Sequence, residues 1–398
     1  MRHALLVVTP WKRRWELGDG AGLADDFHFI RGLTARGIDV HYVSPRDADP
    51  PDVVMAGYHV HPFANFFDAT AGWPVWLRRL VWPVLFTALA SWRAWRVGRA
   101  VRPSWVLAQT HVAGAAAFVV ARALRVPSVV KLFGVMGFAR KDEPRLRDLR
   151  RHFEMIVALK FPHAAWIVLD DGTRGDEALR RHGVPADRIH LLPNGVNLDW
   201  QDRAADSRWL RDRLGLADDV VVVLYLSRLV DWKRPDAFVR AAARVAKARP
   251  ERAVFVVAGE GPERARCERL ARELGVDVRF AGAIPHDHIP DALAAAAVFV
   301  ATSEHSNRSI AVCEALVCGV PVVAFDTGET RAVVRDGETG RLVRDGDVEK
   351  LADAIVSLLQ DEAQRQRLAD GARSLARRQF TAWHGRVEME YQVLERLS

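Results

Sequence analysis

The sequence predicts an α/β protein built from two doubly wound, Rossmann-like domains with parallel sheets. The chain has 398 residues, of which 49% are hydrophobic. It is too long for a single domain with one hydrophobic core and suits two domains of roughly 150–200 residues each. In both halves, strand-like apolar segments alternate with helix-like segments, which favours parallel sheets covered on both faces. A turn-rich segment from Ile189 to Asp199 separates the halves and is interpreted as the linker. We therefore expect an N-terminal domain over residues 1–195, a second domain over 196–375, and a C-terminal helix over 376–398 that packs back towards the first domain.

Five strands and one early helix are predicted in the first half. The helix runs from about Asp25 to Arg36 and is stopped by Gly37. The strands are predicted at Ala4–Thr9, Asp39–Ser44, Trp105–Ala108, Ser128–Leu132 and Trp166–Asp170.

The second half repeats the alternation more clearly. Its strands include continuous apolar runs, which are typical of parallel strands buried on both faces. Two successive doubly wound domains place a ligand cleft between the carboxyl ends of their sheets. The predicted strands are Val220–Leu226, Ala253–Ala258, Val278–Ala281, Val298–Ala301 and Pro321–Phe325, and the predicted helices are Pro235–Ala248, Glu263–Leu274, Ile310–Val317 and further helices from about Val348.

Cysteine usage and hydropathy indicate a cytoplasmic protein. The three cysteines Cys267, Cys313 and Cys318 are too few and too scattered for a disulfide framework, which favours a reducing compartment. The first residues enter a strand pattern directly, without the apolar core and cleavage site of a signal peptide. The longest apolar run, Leu80 to Trp92, is too short for a membrane span and contains Pro83.

The net charge of +7 is distributed unevenly. No acidic residue lies between Asp68 and Asp142, and this stretch holds eleven Arg or Lys residues and six Trp residues. Such a mixture suits a surface that meets anionic headgroups or phosphates at the inner face of a membrane. The alternative is a protein that uses Arg on solvated faces and keeps its Trp residues in the core. No recognised nucleic-acid motif accompanies the charge, so no nucleic-acid partner is predicted.

Two cations follow a buried strand in the second half. Arg228 and Lys233 stand five residues apart in the run Ser-Arg-Leu-Val-Asp-Trp-Lys. Because both leave the end of one strand, they are placed to converge on a single anion, and a diphosphate is the natural candidate. The alternative is two cations in a surface loop.

A polar loop runs from Ser303 to Ser309 and opens the next helix. Free backbone N–H groups at a helix start favour a phosphate. Glu314 lies deeper in the same helix, where an ionised carboxylate accepts hydrogen bonds from sugar hydroxyls, although a structural salt bridge is the alternative. A third loop, Gly259-Glu260-Gly261-Pro262, follows a strand, and most such loops are plain turns.

Taken in order, these motifs resemble the family-4 retaining glycosyltransferases, also called glycosyl transferases group 1. The order is Arg-Leu-Val-x-x-Lys, Gly-Glu-Gly-Pro, Val-Arg-Phe-Ala-Gly, Glu-Ala-Leu-Val-Cys-Gly-Val-Pro-Val-Val-Ala and Asp-Gly-Glu-Thr-Gly-Arg-Leu-Val. Leu191–Asn197 resembles the family's linker, and the run beginning at Thr34 resembles the end of its first helix. The likeness covers nearly the whole chain and is most specific from about residue 190 to 345.

The resemblance implies a GT-B fold, in which two Rossmann-like domains face each other across a cleft. It also implies transfer of a sugar, with retention, from a nucleotide-diphosphate sugar to a glycan or lipid-linked acceptor in cell-surface polysaccharide or glycoconjugate synthesis. Arg228 and Lys233 would bind the donor diphosphate, and Glu314 would bind the ribose. We assign Arg228, Lys233 and Ser306 as candidate catalytic residues, and the other candidate donor-binding residues are Gly20, Gly22, Gly259, Glu304, Asn307 and Ser309.

The chain departs from the family pattern at three places. The position of the family's first glutamate, eight residues before Glu314, is Ser306. Either Ser306 and Asn307 face the donor sugar, or Glu304 reaches in. The family's first-domain His-Gly is Phe133-Gly134 here, so His111 is a candidate acceptor-side substitute, with a core or surface histidine as the alternative. The glycine loop from residue 18 to 22 is also looser than in the family and is not a dinucleotide fingerprint.

No cofactor or metal is expected beyond the donor substrate itself. No Asp-x-Asp element is placed to hold a diphosphate-bound metal, and the pairs Asp170-Asp171 and Asp218-Asp219 are interpreted as turn or cap acids. Two rival functions remain open: a GT-B sugar-nucleotide epimerase, and a nucleotide-sugar-binding subunit without turnover.

Overall fold

The computed structural model describes residues 3–10, 24–46, 55–64, 70, 72–133, 157–248 and 253–398. Within these ranges there are two large parallel sheets, one in each half of the chain, and a short two-stranded sheet that pairs a strand between them in sequence with one near the C-terminus. The predicted α/β class with two doubly wound domains is confirmed.

The first sheet has seven parallel strands in the order β3-β2-β1-β4-β5-β6-β7. The sequence order reverses between β1 and β4, which places a crevice at the carboxyl ends of these two strands. The strands are β1 Ala4–Val8, β2 Asp39–Pro45, β3 Tyr58–Phe63, β4 Trp105–Gln109, β5 Ser128–Leu132, β6 Ala165–Asp170 and β7 Ile189–Pro193, and the described helices are α1 Ala24–Ala35, α2 Val75–Val101, α3 Gly114–Leu124 and α4 Gly175–Arg181.

Two edge strands of this sheet differ from the predictions. Strand β3 was not predicted, because its sequence, Tyr-His-Val-His-Pro-Phe, carries polar residues and a proline. Strand β7 occupies the first five residues of the segment interpreted as the linker, and it pairs with β6 from Trp166↔Ile189 to Asp170↔Pro193. The linker prediction is therefore wrong for these residues, since the turn signal Pro193-Asn194-Gly195 marks the end of a strand.

The second sheet has six parallel strands in the order β11-β10-β9-β12-β13-β14. Helices α6 and α9 match the predicted bounds residue for residue, because α6 has a strong apolar periodicity and begins at a proline, and α9 begins directly after its N-cap residue, Ser309. The strands are β9 Val221–Leu226, β10 Ala253–Ala258, β11 Val278–Gly282, β12 Ala296–Ala301, β13 Val322–Asp326 and β14 Gly340–Arg344, and the helices are α5 Arg208–Leu214, α6 Pro235–Ala248, α7 Arg264–Leu274, α8 Ile289–Ala294, α9 Ile310–Val317, α10 Val348–Gln360 and α11 Glu362–Gln379.

Each large sheet has apolar clusters on both of its faces. On the first sheet, Leu6 and Val8 contribute to one cluster, while Leu5 and Val7 contribute to the other. The second sheet divides in the same way between its two clusters. Burial on both faces explains why these strands are continuously apolar.

The chain returns to the first domain at its end. Strand β15, Thr381–Ala382, pairs with β8, Gly195–Val196, and helix α12, Trp383–Glu395, then packs along α1. A side chain at Gly195 would overlap the Trp383 ring, and one at Gly32 would overlap Val387. The crossing therefore depends on close approach at both glycines.

Five buried charged residues tie α12 to the first domain, and we call them the crossover cluster: Asp25, Asp26, Lys131, Arg386 and Glu390. The Lys131 ammonium pairs with Asp25 and lies 2.9 Å from a Glu390 carboxylate oxygen. One terminal nitrogen of Arg386 lies 2.7 Å from the same Glu390 oxygen, and the other lies 3.9 Å from Asp25. Removing one partner of such a buried pair typically costs about 3–5 kcal/mol, because the remaining charge is left uncompensated.

Asp26 is the member of the crossover cluster without a matching cation. Two cations face the carboxyl groups of Asp25 and Glu390, so an ionised Asp26 would add an unbalanced buried charge. Burial raises the pKa of Asp26 to about 7, with Lys131 acting in the opposite direction. Burial alone would lower the pKa of Lys131, but Asp25 and Glu390 outweigh it, so the net direction is upward.

The first prediction concerns Asp26→Asn. The unfolded pKa of an Asp is about 3.9, so between roughly pH 4 and pH 7 the folded state holds a proton that the unfolded chain releases. The contribution of Asp26 to the free energy of unfolding is therefore full below about pH 4 and is lost as the pH rises through about 7. Asn mimics the protonated acid and does not titrate. We therefore expect the difference between the thermal midpoints, variant minus wild type, to increase by a few degrees from pH 5 to pH 8.

Thermal unfolding followed by circular dichroism at pH 5, 6, 7 and 8 measures this difference. Asp218→Asn is the matched control, because the Asp218 side chain is 79% exposed and should give a constant offset. Midpoints for Asp26→Asn that run parallel to wild type across this range would contradict the assignment.

Candidate functional site

The two predicted cations lie at the carboxyl edge of the second sheet, in the loop between β9 and α6. Arg228 is exposed, and Lys233 is half-buried with its ammonium 4.5 Å from the centre of the Trp232 ring. Burial lowers the pKa of Lys233 to about 8, the nearby Arg228 charge acts in the same direction, and Asp171 opposes it. A bound anion would favour the charged form of Lys233, so this edge of the sheet is suited to a diphosphate.

The Gly259–Gly261 loop holds the Arg228 loop in place. The Leu229 N–H donates to the Glu260 carbonyl at 2.9 Å, and both glycines have positive φ, +133° and +155°. A side chain at Gly259 would overlap the Ser227 carbonyl oxygen, and one at Gly261 would overlap that of Leu229. In this structure Gly259 acts through backbone packing, which positions Arg228.

The loop from Ser303 to Ser309 is organised by Asn307. Its side-chain oxygen accepts from the Ser303 N–H at 2.9 Å, and its amide nitrogen donates to the Phe325 carbonyl at 2.8 Å and to Thr327 at 3.2 Å. Its backbone N–H donates to the Thr330 hydroxyl. Because both amide hydrogens are used inside the protein, the Asn307 side chain shapes the loop and does not offer a donor to a sugar.

Ser306 and Glu304 differ in burial and in hydrogen-bond partners, although they lie in the same loop. The Ser306 hydroxyl is buried and accepts from the Arg308 N–H at 3.1 Å. Glu304 is half-buried, and its backbone N–H donates to the Trp232 carbonyl at 2.9 Å, which ties this loop to the cation loop. The described contacts favour neither Ser306 nor Glu304 as the counterpart of the family's first glutamate.

Helix α9 begins at the predicted place. Ser309 is its N-cap residue, and its hydroxyl accepts from the Val312 N–H at 3.5 Å. Glu314 lies in the second turn and is almost fully buried, 3% exposed. Burial raises the pKa of Glu314, while His286, whose Nε2 lies 3.5 Å from a Glu314 oxygen, acts in the opposite direction.

The end of β6 brings the first domain against this loop. Asp170 forms an ion pair with Arg308 at 2.7 Å, and Asn194 donates to the Arg308 carbonyl at 3.3 Å. The Glu329 N–H donates to the Gly172 carbonyl across the same boundary. The interpretation of Asp170 as an ordinary turn acid is therefore wrong, because its partner lies in the other domain, 138 residues away in sequence.

Asp171 does act as a turn acid, since it accepts from the Thr173 N–H at 3.0 Å and from its hydroxyl at 2.6 Å. Burial raises the pKa of Asp171, and the Lys233 charge acts in the opposite direction, as does the Thr173 hydrogen bonding. The charges of Asp171 in the first domain and Lys233 in the second therefore influence each other, a relation that sequence spacing did not reveal.

The remaining predicted residues lie on the first-domain side. His111 is half-buried and opens a short 3₁₀ turn directly after β4, at the carboxyl edge of the first sheet. The Lys131 ammonium lies 5.3 Å from the centre of the Phe133 ring, which stands where the family has its histidine. Gly20 and Gly22 lie outside the described residues.

In the described ranges, no group of three or more His, Cys, Asp or Glu side chains is arranged to hold a metal ion. Among the helices that the structure describes, none is long and apolar enough to cross a membrane.

Comparison with known proteins identifies the family. Residues 27–200 match Glycosyltransferase Family 4, and residues 206–375 match Glycosyl transferases group 1. The alpha-D-kanosaminyltransferase of Streptomyces kanamyceticus is 31% identical over 277 residues, which cover 66% of this chain and 69% of that protein. This chain belongs to the family-4 glycosyltransferases. The predicted family and enzyme class are thereby confirmed.

Further relatives agree with this family, and solved structures agree with its fold. The D-inositol 3-phosphate glycosyltransferase of Xylanimonas cellulosilytica is 34% identical over 224 residues, 53% of this chain, and the match spans about half, 52%, of that relative. Sucrose-phosphate synthase from Thermosynechococcus elongatus superimposes with a TM-score of 0.76 at 21% identity, covering 100% of this chain and 99% of that one. Anabaena HepE in complex with UDP-glucose gives 0.72 at 20% identity, covering 99% of each chain. The GT-B fold is thereby confirmed.

The second prediction concerns the two cations of this glycosyltransferase. Hydrogen bonds to charged groups contribute about 1.5–3 kcal/mol each, so we expect Arg228→Ala or Lys233→Ala to weaken binding of nucleoside diphosphates about ten- to hundredfold. Calorimetry with UDP, GDP and ADP measures the affinity, and thermal midpoints check folding. Arg269→Ala and Lys247→Ala are matched controls, because both residues are exposed on helices away from this edge. Wild-type affinity in both test variants would refute the assignment.

Proposed function

We propose that this glycosyltransferase moves a sugar from a nucleotide-diphosphate donor to a glycan or lipid-linked acceptor, with retention at the anomeric carbon. One observation carries this proposal: Arg228 and Lys233 follow β9, and the helix that holds the buried Glu314 follows the neighbouring strand β12, at the same carboxyl edge of the second sheet. A cationic pair suits a diphosphate, and a carboxylate suits ribose hydroxyls. That HepE is known in complex with UDP-glucose supports a nucleotide sugar as donor.

In the proposed reaction, the bond between the anomeric carbon and the diphosphate oxygen breaks while the acceptor oxygen bonds to that carbon. The nucleoside diphosphate leaves, and the acceptor proton passes to an oxygen of the departing phosphate. Arg228 and Lys233 stabilise the charge that grows on the leaving group, since they are already in place in the transition state. The leaving phosphate then acts as the base, so no first-domain histidine at position 133 is required.

The third prediction concerns turnover. Because protein cations are proposed to neutralise the diphosphate, we expect nucleotide release to continue at the same rate in EDTA. The assay measures release of UDP, GDP or ADP from a panel of nucleotide sugars with and without glycan and lipid-linked acceptors, and proton NMR reports the anomeric configuration of the product. We expect acceptor-dependent release and retained configuration.

Three outcomes of that assay would overturn parts of the proposal. Complete loss of activity in EDTA, restored by Mg²⁺ or Mn²⁺, would contradict the metal-free chemistry. Epimerisation of the donor without an acceptor would favour the epimerase. Tight donor binding with no release across all acceptors would favour a binding subunit.

We further propose that α2 brings the enzyme to the inner face of a membrane, where a lipid-linked acceptor for cell-surface polysaccharide or glycoconjugate synthesis would lie. Val84, Trp92 and Trp95 are 68%, 53% and 38% exposed. Arg96 and Arg99 follow at helical spacing, and their guanidinium groups lie 5.0 and 5.1 Å from the centres of the Trp92 and Trp95 rings.

This exposed face combines the two features that favour a membrane interface. Tryptophan settles at the headgroup level, and each Lys or Arg near an anionic surface adds about 1 kcal/mol of attraction. The alternative that the Trp residues lie in the core applies to Trp105, which is buried, and not to Trp92 or Trp95, which are exposed. The face therefore suits reversible binding without a span.

The fourth prediction tests this face. We expect wild-type protein to co-sediment with phosphatidylglycerol vesicles at low salt, and not with phosphatidylcholine vesicles. The double change Arg96→Gln and Arg99→Gln should weaken the anionic binding by on the order of tenfold or more. Arg269→Gln with Arg272→Gln is the matched control, because these two exposed arginines have the same three-residue spacing on α7. If wild type does not bind anionic vesicles, or if the double variant binds them as well as wild type does, a soluble acceptor would be favoured.

A further inference from the structure

Arg234 lies directly after Lys233, in the loop between β9 and α6, and no sequence motif singled it out. Its φ is +48°, in the left-handed region that residues other than glycine rarely occupy. Its side chain is 23% exposed, although arginine is mostly a surface residue. The unusual backbone conformation and the partial burial both indicate a residue that its surroundings hold in one place.

The guanidinium group of Arg234 reaches the ends of the three strands that follow β9 across the sheet. Just after β12, its Nε donates to the Thr302 carbonyl at 2.9 Å, and a terminal nitrogen donates to the Ser303 carbonyl at 3.2 Å. The group also lies 5.0 Å from the centre of the Phe325 ring on β13 and forms an ion pair with Asp345, just after β14. The planar, multi-donor shape of the guanidinium group allows one side chain to make these contacts together.

Thr302 makes contacts in the opposite direction, to the loop that carries Lys233. The hydrogen of its hydroxyl group is shared between the carbonyl oxygens of Lys233 and Arg234, each 2.8 Å away. The hydroxyl group of Tyr225, on β9, donates to the same Lys233 carbonyl at 3.1 Å. Thr302 and Tyr225 are buried, where hydrogen bonds are electrostatically stronger than in water. We call the contacts between Arg234 and Thr302, in both directions, the reciprocal clasp.

The reciprocal clasp joins the two loops of the proposed donor site. One loop carries Lys233, and the other begins at Ser303 and leads to the start of α9. The Glu304 N–H donates to the Trp232 carbonyl at 2.9 Å, so the two loops also meet on the other side of Lys233. Because these bonds hold the Lys233 backbone, its ammonium group has a defined position relative to the start of α9.

We propose that Arg234 is a positioning residue for donor binding, which holds Lys233 and the Ser303–Ser309 loop at the separation at which both contact one diphosphate. This inference rests on the proposed function, because it assigns a further residue to the same donor site. Arg234 gives three hydrogen bonds to protein acceptors, and its charge is paired with Asp345. Its effect on the diphosphate therefore passes through Lys233.

The test separates positioning from charge and from folding. Calorimetry on the full chain first identifies which of UDP, GDP and ADP binds wild type most tightly, and that nucleotide is used throughout. Arg234→Gly removes the side chain and suits the positive φ. Arg234→Lys keeps the positive charge but not the planar fork. Thr302→Val removes the other half of the reciprocal clasp without a change in charge.

We expect each of the three variants to weaken binding about tenfold or more, because a small displacement of Lys233 is enough to lose its contact with the phosphates. In a Lys233→Ala background, Arg234→Gly should weaken binding further by no more than about threefold, because the residue that it positions is gone. A residue that acted only on folding, or only by its own charge, would weaken binding by the same factor in both backgrounds.

The matched control is Arg125→Gly. Arg125 also has a positive φ, +59°, but it is exposed at the end of α3 in the first domain. Its replacement by glycine therefore makes the same backbone change away from the proposed donor site. We expect wild-type affinity for the nucleotide in this control.

Failure of this inference is distinguishable from failure of the proposed function. If wild type binds none of UDP, GDP and ADP, the proposed function fails, and the role of Arg234 fails with it. If wild type binds one of them, wild-type affinity in any of the three variants, or equal losses with and without Lys233, overturns the role of Arg234 alone. Thermal midpoints near that of wild type show that a loss of affinity is not a loss of folding. If Arg234→Gly does not fold, Thr302→Val with and without Lys233 gives the same comparison.

Discussion

The crossover cluster is the constraint on which the arrangement of the two domains depends. Lys131 lies on a strand of the first sheet, and Glu390 and Arg386 lie on the last helix, so the buried ion pairs join the first domain to the last helix of the chain. Because these charges compensate one another only in this geometry, α12 has a fixed position along α1. The same helix begins at Trp383, which packs on the linker glycine Gly195, so the end of the second domain is also fixed relative to the first.

This constraint extends to the donor side of the cleft. Helix α1 carries His28, which stacks on the Trp383 ring at 4.4 Å. Burial lowers the pKa of His28 to about 4, with the nearby His286 acting in the same direction. The Asp170–Arg308 pair joins the domains through a second set of elements. The position of the first domain is thus defined by two separate polar contacts, and the Asp170–Arg308 pair involves the Ser303–Ser309 loop of the proposed nucleotide site.

The sequence predicted those features that depend on short stretches of chain. Val221–Leu226 and Pro235–Ala248 follow from local hydrophobic pattern, and the placement of Arg228 follows from the strand before it. Features that depend on distant partners were not predicted. Asp25 looks like an ordinary acid in the first turn of a helix, and only the fold brings Glu390 and Lys131 to it. The edge strands β3 and β7 of the first sheet were not predicted, because their residues are partly polar and meet only one neighbouring strand.

The structure also separates residues that hold the loops of the proposed site from residues that we propose to face a ligand. Gly259, Asn307 and Ser309 use their conformations or hydrogen bonds within the protein. Lys233 and Glu314 differ from these residues, because burial favours the neutral form of each: it lowers the pKa of Lys233 and raises the pKa of Glu314. A diphosphate would favour the charged lysine, and a ribose hydroxyl would favour the charged carboxylate. Because one nucleotide carries both groups, its binding at the proposed site would relieve two desolvation penalties together, and neither a free phosphate nor a free sugar alone would do so.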